Sequence, residues 1–273
     1  MQKGEKACHC IQALMVVIVF AFLTLFLANP ICSGPLSNTH RMGMGGALPP
    51  SGHFNPTGFF EQRCYLFFSF DHADYYGIPG LSSDGIGASL HSKNYQVTMR
   101  LSMFGFERFE EERLSAYTGS AFSKKRWILG LKYDLTGLSS SGFGKSYENA
   151  ISAELSIVPN RFIEIGIRSI LFGCGADGES EGFLASLNLR RVHIVYNVYR
   201  NIYSGSDTRM GFRYDYSETA TFESGFRVAS NEIFVGASII IEQVWISVSV
   251  SDHPYLGSSI YLGVGWLRCL DSL

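Results

Sequence analysis

From Cys64 to near the C-terminus, segment after segment alternates apolar with polar side chains, and a period of two places such segments on strands with one greasy and one wet face. Over 95–103, Tyr95, Val97, Met99, Leu101 and Met103 share one face, and Gln96, Thr98, Arg100 and Ser102 share the other. Over 127–136, Trp127, Leu129, Leu131, Tyr133 and Leu135 oppose Ile128, Gly130, Lys132, Asp134 and Thr136. The same division runs through 163–168, 209–216 and 244–251. No helical period competes with it.

Such segments number about fourteen, at 64–71, 84–91, 93–104, 107–122, 126–137, 147–158, 160–172, 181–190, 192–203, 207–216, 219–228, 232–241, 244–251 and 256–268. The fourth has the poorest alternation, because Glu110, Glu111, Glu112 and Arg113 interrupt it. Tight connections (Ser92, 123–125, Pro159, Arg191, 217–218 and 242–243) interleave with longer Gly/Ser-rich ones at 72–83, 138–146, 173–180 and 252–255. Short turns on one side and longer loops on the other are the asymmetry of an outer-membrane barrel.

A soluble sandwich would also use many strands, but it would turn its apolar faces inward onto each other. Here the polar face carries charges of both signs: Arg100, Lys132, Asp134, Glu154, Glu164, Arg168, Arg190, Arg213, Asp215, Glu223 and Arg227. These suit a wet or network-filled lumen. The apolar face carries aromatics toward strand ends, among them Tyr95, Trp127, Tyr133, Tyr147, Tyr214 and Trp266, which suits interfacial girdles. The predicted fold is therefore all-β, a closed antiparallel transmembrane β-barrel of about fourteen strands over 64–268, with a tail at 269–273.

Composition agrees with this. Charged residues are 17% of the chain, below the roughly 25% usual in soluble domains. The 22 Lys and Arg balance 24 Asp and Glu, so no polyanion footprint exists and nucleic acid is not an expected partner.

Before the barrel, Lys3 and Lys6 precede an apolar run from Ile11 to Ala28 that Asn29, Pro30 and Gly34 close. This is the layout of an export signal over 1–34, with a retained transmembrane anchor as the alternative reading. Cys64, Cys174 and Cys269 would remain after cleavage, an odd and widely spaced set that forms neither a disulfide framework nor a zinc pattern. Cys8, His9 and Cys10 look ligand-like but lie in the leader.

Between leader and barrel, 35–63 reads Arg41, Met42, Gly43, Met44, Gly45, Gly46, Ala47 and then Asn55, Pro56, Thr57, Gly58. This resembles the glycine-rich opening and Asn-Pro turn of the FadL-like outer-membrane barrels, particularly the PorV/PorQ branch. The stretches Arg108 to Tyr133 and Ser247 to Trp266, the latter with His253, Pro254, Leu256 and Gly257, resemble that group's hairpins. The spacer Leu48 to Phe54 is shorter than in the family, and Thr57 stands where it has alanine.

The resemblance implies a fourteen-stranded barrel in a Gram-negative-type outer membrane, with Gly43, Gly45, Gly46, Asn55, Pro56 and Gly58 in a segment tucked into the lumen. It implies a scaffold that holds secreted cargo or envelope proteins in a type IX-like apparatus. The alternative is a FadL-like transporter or channel for hydrophobic or small solutes.

The glycine cluster is no phosphate loop, since no G-K-[ST] follows it, and no nucleophile elbow occurs. The seven histidines are isolated, and Glu110 to Glu112 alternate faces on a strand. No cofactor, no metal and no catalysis are expected. The partners expected are outer-membrane lipid, with either protein cargo or small molecules.

Overall fold

The computed structural model describes residues 65–91, 95–106, 109–122, 126–142, 144–160, 162–173, 179–201, 205–217 and 219–269. They form fourteen strands: β1 (Tyr65–Asp74), β2 (Ser82–His91), β3 (Tyr95–Phe106), β4 (Phe109–Phe122), β5 (Trp127–Ser140), β6 (Gly144–Asn160), β7 (Ile163–Gly173), β8 (Glu179–Leu189), β9 (Val192–Asn201), β10 (Gly205–Asp215), β11 (Ala220–Arg227), β12 (Glu232–Ile241), β13 (Val244–His253) and β14 (Gly257–Cys269). Each pairs antiparallel with the next, and β1 pairs with β14 from Tyr65↔Cys269 to Asp74↔Ile260, which closes the ring.

The alternation decides which way the wall faces. Along β13, Trp245, Ser247, Ser249 and Ser251 are buried inside the ring while Val244, Ile246, Val248 and Val250 are exposed outside it. Around the ring Ile86, Leu101, Leu131, Ile167, Met210, Val235 and Leu262 continue that outer surface. A soluble monomer does not expose so continuous an apolar wall. Hydrocarbon accepts it, provided that the backbone polar groups are paired within the ring. Among the described residues no helix is long and apolar enough to cross a membrane; the strands do so.

Two tyrosines lie over glycines of the neighbouring strand. Tyr117 of β4 covers Gly130 of β5, and Tyr199 of β9 covers Gly182 of β8; a Cβ at either glycine would overlap the ring. The glycines are spaces cut into the wall for these rings, an arrangement known to pin strand register.

The strands depart from the sequence expectation mainly at one rim. The connections expected at 72–83 and 138–146 are shortened by strand at both ends: β1 and β2 pair up to Asp74↔Ser82, and β5 and β6 pair up to Ser140↔Gly144. The segment with the poorest alternation, β4, is 14 residues long. The reason is physical: beyond the hydrocarbon, ladder hydrogen bonds still hold a strand while side-chain pattern is free to lapse. The loop asymmetry is thus milder than expected, with 75–81 the longest connection at the far rim.

At the near rim, Pro159 lies within β6 rather than in a turn, and Asn160 accepts hydrogen bonds on its Oδ1 from the backbone N–H of Phe162 and Ile163 (2.8 and 3.0 Å). Arg190, expected on the lumen face, instead follows β8 in the tight turn to β9, exposed and at φ 49°. The leader 1–34, the segment 35–63 and Cys64 and Cys174 lie outside the described residues.

The face assignment on β5 yields a direct test. Leu131 points outward, 44% exposed, and Lys132 points inward to an ion pair with Asp134 at 2.7 Å. Leu131→Arg is expected to cost about 2–4 kcal/mol in lipid and to cripple assembly. Lys132→Arg keeps the lumenal charge and is expected to assemble near normally, as read by heat-modifiable migration of the folded barrel.

Candidate functional site

Inside the ring the ionisable side chains form pairs of two kinds. The first joins residues two apart on one strand, which lie on the same face. Arg113 pairs with Glu111 (2.7 Å), Lys132 with Asp134 (2.7 Å), Arg209 with Asp207 (2.7 Å) and Arg213 with Asp215 (2.7 Å). Ser115 also donates to Asp134.

The second kind crosses between strands. Arg168 of β7 meets Glu154 directly opposite on β6 (2.8 Å), and Arg227 of β11 reaches Asp207 of β10 (2.9 Å). Arg100 of β3 spans the whole of β2 to reach Asp71 of β1 (2.6 Å). It passes over Gly85, where any side chain would block the guanidinium.

Of the residues predicted from sequence, Arg100, Lys132, Asp134, Glu154, Arg168, Arg213, Asp215 and Arg227 all lie in these pairs. Glu164 and Glu223 are buried on the same inner face, at 1% and 4% exposure. The N-terminal set Gly43, Gly45, Gly46, Asn55, Pro56 and Gly58 lies outside the described residues.

Several lumenal partners escaped the sequence reading. Asp71 and Asp207 sit at ends of expected segments, where the parity of the alternation is hardest to fix. Glu111 and Arg113 sit in the stretch whose alternation lapses. The spacing acid-x-base was the available signal: E-x-R, K-x-D, D-x-R and R-x-D each mark a pair on one strand face.

Tyr199, 1% exposed, joins two of the pairs. The Arg209 and Arg168 guanidiniums lie 4.8 and 5.7 Å from its ring centre, and Asn197 donates to its hydroxyl at 2.8 Å. Near the short-turn rim His193 bridges Asn188 and Asp215, both at 2.8 Å. Glu232 accepts from the Ser251 hydroxyl (2.8 Å), in a sector where β13 and β14 present serines rather than charges.

Aromatic groups lie toward the two ends of the lumen. Toward the short-turn rim, Phe67 and Trp245 meet edge to face with ring centres 5.9 Å apart. Toward the far rim the 75–81 connection folds inward. Tyr75 packs edge to face on Phe104 and Tyr261, and the Tyr76 backbone N–H donates to Ser259 Oγ at 3.0 Å. Burial pushes the phenols of both Tyr75 and Tyr76 up, so they stay neutral hydrogen-bonding groups at physiological pH.

Among the described residues no group of three or more His, Cys, Asp or Glu side chains is placed to hold a metal ion. The arrangement is a polar, mutually neutralised inner wall between two aromatic zones.

The shared carboxylate of Asp207, 1% exposed, is the most demanding point of this wall. Asp207→Asn would neutralise the carboxylate that Arg209 and Arg227 share. It is expected to cost about 3–5 kcal/mol in urea unfolding from lipid vesicles. Thr208→Val, on the outer face of the same strand, is expected to change stability by less than about 0.5 kcal/mol.

No protein-family model matches the sequence, and no curated protein matches it. The fold, however, is similar to solved outer-membrane proteins. The toluene transporter TbuX of Ralstonia pickettii is 10% identical, with 86% of this chain and 98% of that one covered at a TM-score of 0.58. The monoaromatic hydrocarbon channel CymD is 11% identical, covering 86% and 97% at 0.56. The outer membrane protein Omp33 of Acinetobacter baumannii is 7% identical, covering 75% and 97% at 0.53. At such identities the likeness is one of fold: a closed antiparallel barrel of the outer-membrane kind.

Proposed function

We propose that this chain is an outer-membrane channel or transporter for small solutes of the hydrophobic or weakly polar class. The observation that carries the reading is the closed ring itself, greasy outside and polar inside. Such a wall has use only in a bilayer, and it separates the lumen from lipid. The lumenal ion pairs support uncharged solutes, because charges already tied to one another have little left with which to select an ion. Two of the similar folds are, by their names, a toluene transporter and a monoaromatic hydrocarbon channel, which supports the same class. The export-scaffold role implied by the sequence resemblance draws no comparable support from these folds.

Residues 35–63 enter the reading as a segment that narrows the lumen, since the chain reaches β1 at the short-turn rim. Reconstituted in liposomes, the protein is expected to admit small aromatic solutes faster than protein-free vesicles do. Removal of residues 41–58 is expected to raise the rate. No flux above the protein-free control with either form, together with recovery of an envelope protein on the purified barrel, would favour the scaffold role instead.

A further inference from the structure

The connection 75–81 between β1 and β2 is tied together within itself and laid across the far mouth of the lumen. The Tyr75 N–H donates to the Leu81 carbonyl (3.0 Å), the Leu81 N–H to that of Ile78 (3.1 Å) and the Ile78 N–H to that of Tyr75 (3.0 Å). The loop therefore moves as one body above the last strand pair, Asp74↔Ser82. Within it Tyr76 holds a left-handed φ of 56° ahead of Gly77 at 63°, a conformation that a non-glycine residue keeps only where its surroundings fix it.

Those surroundings are side chains on both sides of the hairpin. On one side Tyr75 reaches β3, its ring edge to face on Phe104 at 5.4 Å and its hydroxyl 3.1 Å from Ser83 Oγ. On the other it packs on Tyr261 of β14 at 5.7 Å, while Tyr76 donates its N–H to Ser259 Oγ and sets its ring against His253 of β13 at 5.8 Å. His253 is a firm seat, because its Nδ1 accepts from the N–H groups of Tyr255 and Leu256. The Tyr76 phenol also feels the charges of Glu232 and Arg227, so the contacts of the loop run from β3 round to β12 and β11. Below it the inner-face Ser251 and Ser259 are fully buried. The ladders of β1 with both neighbours end at Asp74, so the loop is held down by side-chain contacts, which open far more readily than a strand seam.

We propose that 75–81 is a flap over the far mouth, hinged at Asp74 and Ser82 and clasped by Tyr75, and that it sets the size of solute the barrel admits. The filtering role rests on the transport reading; the flap itself does not. Tyr75 is the positioning residue, since its one ring ties the flap to β3 and β14 together.

The test uses the full-length barrel in liposomes and reads opening and passage separately. Opening is read in a cysteine-free background carrying Ser251→Cys, as the rate of reaction with a water-soluble maleimide. Tyr75→Ala is expected to raise that rate about ten-fold, and Tyr75→Phe, which keeps the ring, to leave it near the wild-type value. Exchange of 75–81 for an Asn-Gly turn, which the Asp74↔Ser82 pair can accept, is expected to raise it at least as much. Passage is read by liposome swelling with phenyl glucoside and the bulkier phenyl maltoside, both uncharged. The Asn-Gly exchange is expected to speed the maltoside about ten-fold and the glucoside by less than about three-fold. An unchanged labelling rate, or an unchanged ratio of the two glycosides in a barrel that admits them, would overturn the flap. Faster labelling with neither glycoside admitted by any form would support the flap and remove the transport reading instead.

Discussion

Everything in this molecule depends on the pairing of β1 with β14. A strand edge left in hydrocarbon would strand its N–H and C=O groups without water, at several kcal/mol for each. Closing the ring removes both edges together, and it fixes what each strand must offer: one face for lipid and one for the enclosed space. The period of two, the even strand number and the return of β14 to the rim where β1 begins all follow from that closure.

Closure also creates the electrostatic problem that the inner wall answers. Ionisable groups enclosed by a ring this crowded are poorly hydrated, and an unpaired one would be costly. Pairs built on a single strand need no help from strand register, because residues two apart always share a face. The pairs that cross strands, Arg168 with Glu154, Arg227 with Asp207 and Arg100 with Asp71, hold only if neighbouring strands meet at the right height. The inner wall is therefore polar without being free to exchange its charges, and this is why it reads more as a lining than as a set of recognition groups.

Most of this was legible in the sequence because lipid enforces alternation over the span of each membrane strand. Val244 to Ser251 could be assigned face by face, as could Trp127 to Thr136. Legibility failed where lipid stops enforcing the pattern. Beyond the belt, β5 and β6 continue through Ser139, Ser140, Gly144 and Lys145 by backbone pairing without the alternation, and a serine-rich stretch read as a loop is ladder. Arg190 was misplaced for the related reason that alternation continues on paper into a turn where the backbone has left the strand.

The tyrosines seated over glycines have a consequence for misfolding. A slip of one residue between neighbouring strands would turn every side chain to the wrong face and is strongly rejected. A slip of two preserves the faces, so the alternation is blind to it. Shape is not: moved by two, the Tyr117 ring would meet Ile128 or Lys132 in place of Gly130, and in one direction Tyr199 would meet Leu184 in place of Gly182. These rings thus discriminate among the near-miss barrels that hydrophobicity alone would allow, and they do so on β4/β5 and β8/β9, in hairpins far from the seam where the ring finally closes.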